Sequence, residues 1–172
     1  LPFPAKGDYD ARTARRLTRR GFQIALRRVS CPRSSLVLLT MALDPKTRVL
    51  IAEDNPNLRK VIVNIVKKIG FSDIVECEDG ATAWEAVEKG GVGLVLTDWA
   101  MPTMTGLDLL KRIRASRPPI SNVPILMITA ADTKDSIMMA GKEGVDAYVI
   151  KPFSVKTIMD KIEEAVANRA GK

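Results

Sequence analysis

Five side chains of this chain could do chemistry together: Glu53, Asp54, Asp98, Thr129 and Lys151. Three carboxylates brought to one place repel, so they either raise a pKa or bind a cation. Glu53, Asp54 and Asp98 are all-oxygen ligands with room for water, which suits Mg2+ better than zinc. Lys151 would add a compact positive charge and Thr129 a hydroxyl donor. Such a group is suited to phosphoryl chemistry. The metal and the lysine would neutralise the oxygens of an incoming phosphoryl group, and the threonine hydroxyl would bond one of them. A carboxylate would attack phosphorus in line and form an acyl phosphate. Asp98 is the best nucleophile of the three, as the central acid that leaves the others free to hold metal.

Taken singly, each residue has a plainer reading. An Asp after a strand is usually a turn or cap residue. A Glu-Asp pair beside a helix start is usually solvated. Thr129 alone is a helix-entry hydroxyl and Lys151-Pro152 a loop. Joint placement reverses the odds, so the elements must show that these residues meet.

The pattern from Arg48 onward supplies that placement. Residues 49–52 (VLIA) form a continuous apolar run, as expected of a strand buried on both faces. Asn55-Pro56 gives an N-cap and a first-turn proline. Leu58, Val61, Ile62, Ile65, Val66 and Ile69 then fall on one helical face, and Gly70 closes the helix. A second strand is expected over 74–77, a helix over 79–88 with Ala83, Trp84 and Val87 inward, and a third strand over 92–97. A loop follows from Asp98 to Gly106, then a helix over 107–115 stopped by Pro118-Pro119. A fourth strand over 123–128, a helix over 133–143, a fifth strand over 146–150 and a last helix from Ser154 to about Asn168 complete the series. The fold class is α/β, a doubly wound (βα)5 flavodoxin-like fold, because strict alternation implies a parallel sheet covered on both faces. Ligands of such sheets collect at the carboxyl ends of the strands. Those ends carry Glu53-Asp54, Asp98, Thr129 and Lys151. An order of 2-1-3-4-5 for the five-stranded sheet would set strands 1 and 3 side by side at its centre.

Composition narrows the chemistry further. The chain has 172 residues and no histidine, which excludes histidine bases, histidine metal ligands and a phosphohistidine on this chain. Its net charge of +7 is unevenly spread. Residues 1–40 hold nine Lys/Arg and two acids, while the 18 basic and 18 acidic residues beyond them cancel. The basic pI therefore belongs to the leader and is no nucleic-acid signature of the folded part. Cys31 and Cys77 form neither a disulfide framework nor a metal spacing, which fits a reducing cytoplasm. No apolar run reaches the length of a membrane span.

Two domains of unequal character are expected: a basic leader over 1–45 and a folded domain over 46–172. The leader's arginine pairs, prolines and glycines show no sustained period. A signal peptide fits it poorly, and a transit peptide fits the composition better. Met41 also opens a plausible natural start, making the preceding 40 residues an upstream extension; a disordered basic tail is the alternative.

The segments VLIAEDN (49–55), LVLTDWAMPTMTGLDLLKRIR (94–114), PILMITA (124–130) and AYVIKPF (147–153) closely resemble bacterial response-regulator receiver domains. Within that family they look most like the single-domain chemotaxis regulator, over about residues 46–168. The resemblance implies that Asp98 accepts a phosphoryl group from a histidine kinase, chemotaxis type. It also implies that Glu53, Asp54, Asp98 and the backbone carbonyl of Ala100 hold Mg2+, and that Thr129 and Lys151 sense the phosphoryl group. Tyr148 resembles the family's switch aromatic, and Trp99 its fluorescent reporter. The surface of helix 4, strand 5 and helix 5 would be the output, or the face of a weak dimer of an otherwise monomeric protein. Ala100 departs from the Asn often found two residues after the acceptor, and Ala131, followed by Asp132, stands two residues after Thr129 where an acidic residue can occur.

The partner implied is a flagellar motor switch protein, with no nucleic acid, no membrane and a cytoplasmic location. Because the last helix ends near the terminus, no output module is expected. The alternative is a phosphorelay carrier or phosphate sink, whose partner would be a histidine phosphotransfer protein. A flavodoxin-like cofactor binder is disfavoured, because Glu53-Asp54 puts negative charge where a phosphate cradle should offer N–H groups.

Overall fold

The computed structural model describes residues 43–130, 138 and 141–172. The expected leader up to residue 42, most of the helix expected over 133–143, and Ala131 and Asp132 lie outside the described residues. Five strands form one parallel sheet: β1 (Arg48–Ala52), β2 (Ile74–Cys77), β3 (Val92–Asp98), β4 (Ile125–Thr129) and β5 (Ala147–Ile150). Their order is β2-β1-β3-β4-β5, as the strand-end argument requires. The described helices are α1 (Pro56–Ile69), α2 (Gly80–Glu88), α3 (Gly106–Arg114) and α4 (Val155–Ala170), with a 3-10 turn over Ile120–Asn122.

Both faces of the sheet are covered, so β1, β3 and β4 are apolar on both sides. One core gathers Val49, Ile51, Leu94, Leu96, Leu126 and Ile128 with α1 and α4. The other gathers Leu50, Val95, Ile125 and Met127 with α2 and α3. Leu43 packs on the edge of the first core, and the Pro45 carbonyl accepts from the Ser72 N–H.

Local chemistry sets where the helices begin. Asn55 accepts from the N–H groups of Asn57 and Leu58, with Pro56 in the first turn. Asp79 accepts from Thr82, and Ser154 from Thr157. Thr105 and Asp108 form a reciprocal capping box at α3.

One expectation is corrected and another is met in part. Val61 is 48% exposed, whereas Val63 on the opposite flank of the α1 stripe is buried. Both lie about 100° from Ile62 around the helix, so periodicity alone cannot choose between them. The Val63 flank belongs to the cluster shared with Ile158, Ile162 and Ala165 of α4. Trp84, expected inward, packs against the second core but is only partly buried, and the Arg112 guanidinium lies over its ring at 4.5 Å.

Candidate functional site

The sheet order brings the ends of β1 and β3 together, with β4 and β5 following on one side. Glu53, the residue after β1, is 1% exposed, and Asp98, the last residue of β3, is 8% exposed. Asp54 beside them is exposed. One carboxylate oxygen from each of the three lies within 4.8 Å of the others. An all-oxygen set with one exposed member has the chemistry of a hard divalent cation site open to water, and these residues therefore fit Mg2+.

Lys151 reaches into this cluster from the end of β5. Its Nζ donates to Asp98 Oδ2 at 2.9 Å and to Glu53 Oε2 at 3.0 Å. Burial opposes its charge, but the hydrogen bonds and charges of Asp98 and Glu53 outweigh that and raise its pKa. Burial pushes the Glu53 carboxyl up from its ordinary value; the Lys151 hydrogen bond pulls it back, and the Asp98 charge adds to the rise. The lysine thus stabilises two buried acids at once through Glu53 Oε2 and Asp98 Oδ2, and Glu53 Oε1 and Asp98 Oδ1 bond elsewhere.

Those remaining oxygens are aimed by backbone groups. Asp98 Oδ1 accepts from the Trp99 N–H at 2.7 Å, an N–H that also reaches the Ile128 carbonyl at 3.0 Å. Glu53 Oε1 accepts from the Asn55 N–H at 3.4 Å. Thr129 is buried at the end of β4, and its carbonyl accepts from the Lys151 N–H at 2.8 Å, so the two residues are tied across the β4–β5 edge. Tyr148 pairs with Met127 in the β4–β5 register. It is partly buried against the second core, with Lys161 Nζ 5.4 Å from its ring centroid. Trp99 is partly buried, and Ala100 is exposed on the loop after β3.

Three contributors were not singled out from the sequence. The Arg59 Nη1 donates to the Glu53 carbonyl at 2.6 Å, and its Nε lies 3.6 Å from Glu76. It borders a cavity of about 280 Å3 lined also by Cys77, Glu78 and Thr82, beside the carboxylates rather than over them. Gly106 meets the backbone of Asp98: a Cβ there would stand 1.9 Å from the Asp98 carbonyl oxygen. Thr97 donates its hydroxyl to that same carbonyl at 3.0 Å. A glycine at the first position of α3 was the one signal that could have pointed to this close approach.

The profile described as "response regulator receiver domain" matches residues 49–163. The "Chemotaxis protein CheY" of Pseudomonas aeruginosa is 38% identical over 117 residues, which are 68% of this chain and 94% of that protein. The "Chemotaxis protein CheY-3" of Vibrio cholerae is also 38% identical, over 122 residues covering 71% of this chain and 93% of that protein. Among solved structures, a DNA-binding response regulator of the LuxR family from Staphylococcus aureus superposes with a TM-score of 0.63 at 30% identity. That match covers 70% of this chain and 98% of the other.

Proposed function

This chain belongs to the response regulator receiver domain family and has a two-component signalling role, and from that premise we propose that it is a chemotaxis-type switch phosphorylated on Asp98. The observation that carries this reading is the Lys151 ammonium held between Glu53 and Asp98, with Asp54 completing the acid cluster. The domain proper is residues 46–172, and 1–45 are a basic leader with no part in the chemistry.

Glu53, Asp54, Asp98 and the Ala100 carbonyl hold Mg2+, which when bound neutralises charge on the phosphoryl oxygens. The protein's own residues do the rest. Asp98 attacks the phosphorus of a phosphohistidine in line; the new O–P bond forms as the P–N bond to the imidazole breaks. Lys151 moves its hydrogen bond from the Asp98 carboxylate to a phosphoryl oxygen. The Thr129 hydroxyl donates to another, and its movement lets Tyr148 turn inward. The surface around Tyr148 on β5 and α4 then gains affinity for a flagellar motor switch protein. The two chemotaxis relatives support that choice of partner over a phosphorelay. The donor is a histidine kinase and the setting is the cytoplasm. Among the described residues, no helix is long and apolar enough to cross a membrane.

Acetyl phosphate with Mg2+ should label the protein on Asp98, read by mass spectrometry, and Asp98→Asn should not be labelled. Undiminished labelling of that variant would sink the assignment. Pull-down with a motor switch peptide should strengthen on phosphorylation. Unchanged binding there, together with reverse transfer to a histidine phosphotransfer protein, would instead make the chain a relay carrier.

A further inference from the structure

We propose that Gly80, at the start of α2, is the seat that holds the loop after β3 as a clamp in the geometry Mg2+ demands. This inference rests on reading the acid cluster as the metal site, and it concerns a residue outside that cluster. The loop from Trp99 to Thr105 leaves β3 and enters α3 at Gly106. Its tip passes under α2. A Cβ on Gly80 would stand 2.3 Å from the Met104 carbonyl oxygen and 3.0 Å from Met104 Cβ. Gly80 is buried, and it is not among the residues with positive φ. Glycine is therefore required here for space and not for backbone conformation.

The same tip carries an unusual turn. Thr103 has φ +66, the one non-glycine residue with positive φ among those described. The Met104 N–H donates to the Pro102 carbonyl at 2.6 Å, closing a three-residue γ-turn around it. A turn of this kind persists only where its surroundings hold it. The neighbour against it is Gly80, whose missing side chain lets the Met104 backbone sit directly on the start of α2. The loop is thus held between Gly80 at its tip and the Asp98–Gly106 contact at its end. The stretch between those points carries the Ala100 carbonyl.

Mg2+ needs near-ideal octahedral distances, whereas Ca2+ accepts longer and more irregular ones. A methyl at position 80 pushes the loop tip away, so it should harm Mg2+ binding more than Ca2+ binding. Loss of a group that supports a metal ligand typically weakens affinity by about tenfold or more. The experiment is calorimetric titration of the full chain with MgCl2 and with CaCl2, beside thermal melts. Gly80→Ala should bind Mg2+ about tenfold more weakly, with a smaller change for Ca2+. Thr103→Gly adds no bulk and relaxes the turn, and it should lower the Mg2+/Ca2+ preference in the same direction. In the double variant the melting temperature should recover while Mg2+ affinity stays low. Mg2+ affinity unchanged in both single variants overturns the clamp. Equal losses for both ions that recover with the melting temperature also overturn it. If the unaltered chain binds no Mg2+, the metal-site reading itself fails and takes the clamp with it.

Discussion

Lys151 Nζ lies 2.9 Å from Asp98 Oδ2 and bridges to Glu53 Oε2 at 3.0 Å, so one ammonium serves two buried carboxylates. A divalent cation on the same acids must share their charge with it. Lys151→Met should therefore bind Mg2+ more tightly than the unaltered protein. It should nevertheless accept phosphoryl from acetyl phosphate at least about tenfold more slowly, because a charge facing the phosphoryl oxygens is gone. Titration calorimetry and labelling rates check the two effects. Weaker Mg2+ binding in that variant would show that the lysine organises the acids instead of competing for them.

Glu53 predicts a pH dependence without metal. Its folded-state pKa is raised, chiefly by burial, above the ordinary value of 4.5. A carboxyl with a raised folded pKa contributes stability that is full below the unfolded value and is lost as pH rises through the folded value. The metal-free protein should thus lose stability as pH climbs from about 4.5. Glu53→Gln should flatten that slope, and saturating Mg2+ should restore stability at neutral pH. Urea denaturation across this range reads all three, and an unchanged slope in Glu53→Gln would assign the effect elsewhere.

At the amino ends of the strands, just before β5, Asp146 takes Arg114 Nη2 at 2.6 Å, Arg169 Nη2 at 2.9 Å and Lys172 Nζ at 3.2 Å. It also accepts from the Ile125 N–H at 2.9 Å. Burial first, with Arg169 adding to it against Asp146, lowers Arg114 to about 10. Removing the one carboxylate leaves two part-buried guanidinium groups without their shared counter-charge. Asp146→Ala should cost about 3–5 kcal/mol, and Lys172→Ala, at a half-exposed amine, less than about 1 kcal/mol. Denaturant midpoints at constant slope are the measurement.

The fold was legible because its signals are local and repeated. The apolar runs at 49–52 and 92–97, the caps at Asn55 and Ser154 and the closing Gly70 all stand where the structure has them. The strand-end residues were legible because alternation implies a parallel sheet, whose strand ends share one side, and the order 2-1-3-4-5 brings Glu53, Asp98, Thr129 and Lys151 together there. Arg59, Gly80 and Asp146 were not. Each acts through a contact distant in sequence or through backbone space. A glycine that starts a helix looks alike whether it spares a backbone conformation or a Met104 carbonyl. The Asp146 cluster joins three elements that no periodicity links.

Under the proposed function, Ala100 predicts how long the signal lasts. It is exposed on the loop after β3, two residues beyond Asp98, and its methyl offers no hydrogen bond to a water approaching the acyl phosphate. An amide at that position could orient such a water. One added hydrogen bond of about 1.4 kcal/mol in the transition state is worth roughly tenfold in rate. Ala100→Asn should therefore shorten the life of the phosphoryl group on Asp98 by about that factor. Loading rates should be little changed, because the backbone carbonyl at position 100 remains. The check is to load both proteins with acetyl phosphate, remove the donor and follow the phosphorylated fraction by intact mass. Equal decay in the two would mean that the water is placed by some other group, and that Ala100 does not set the duration of the switch.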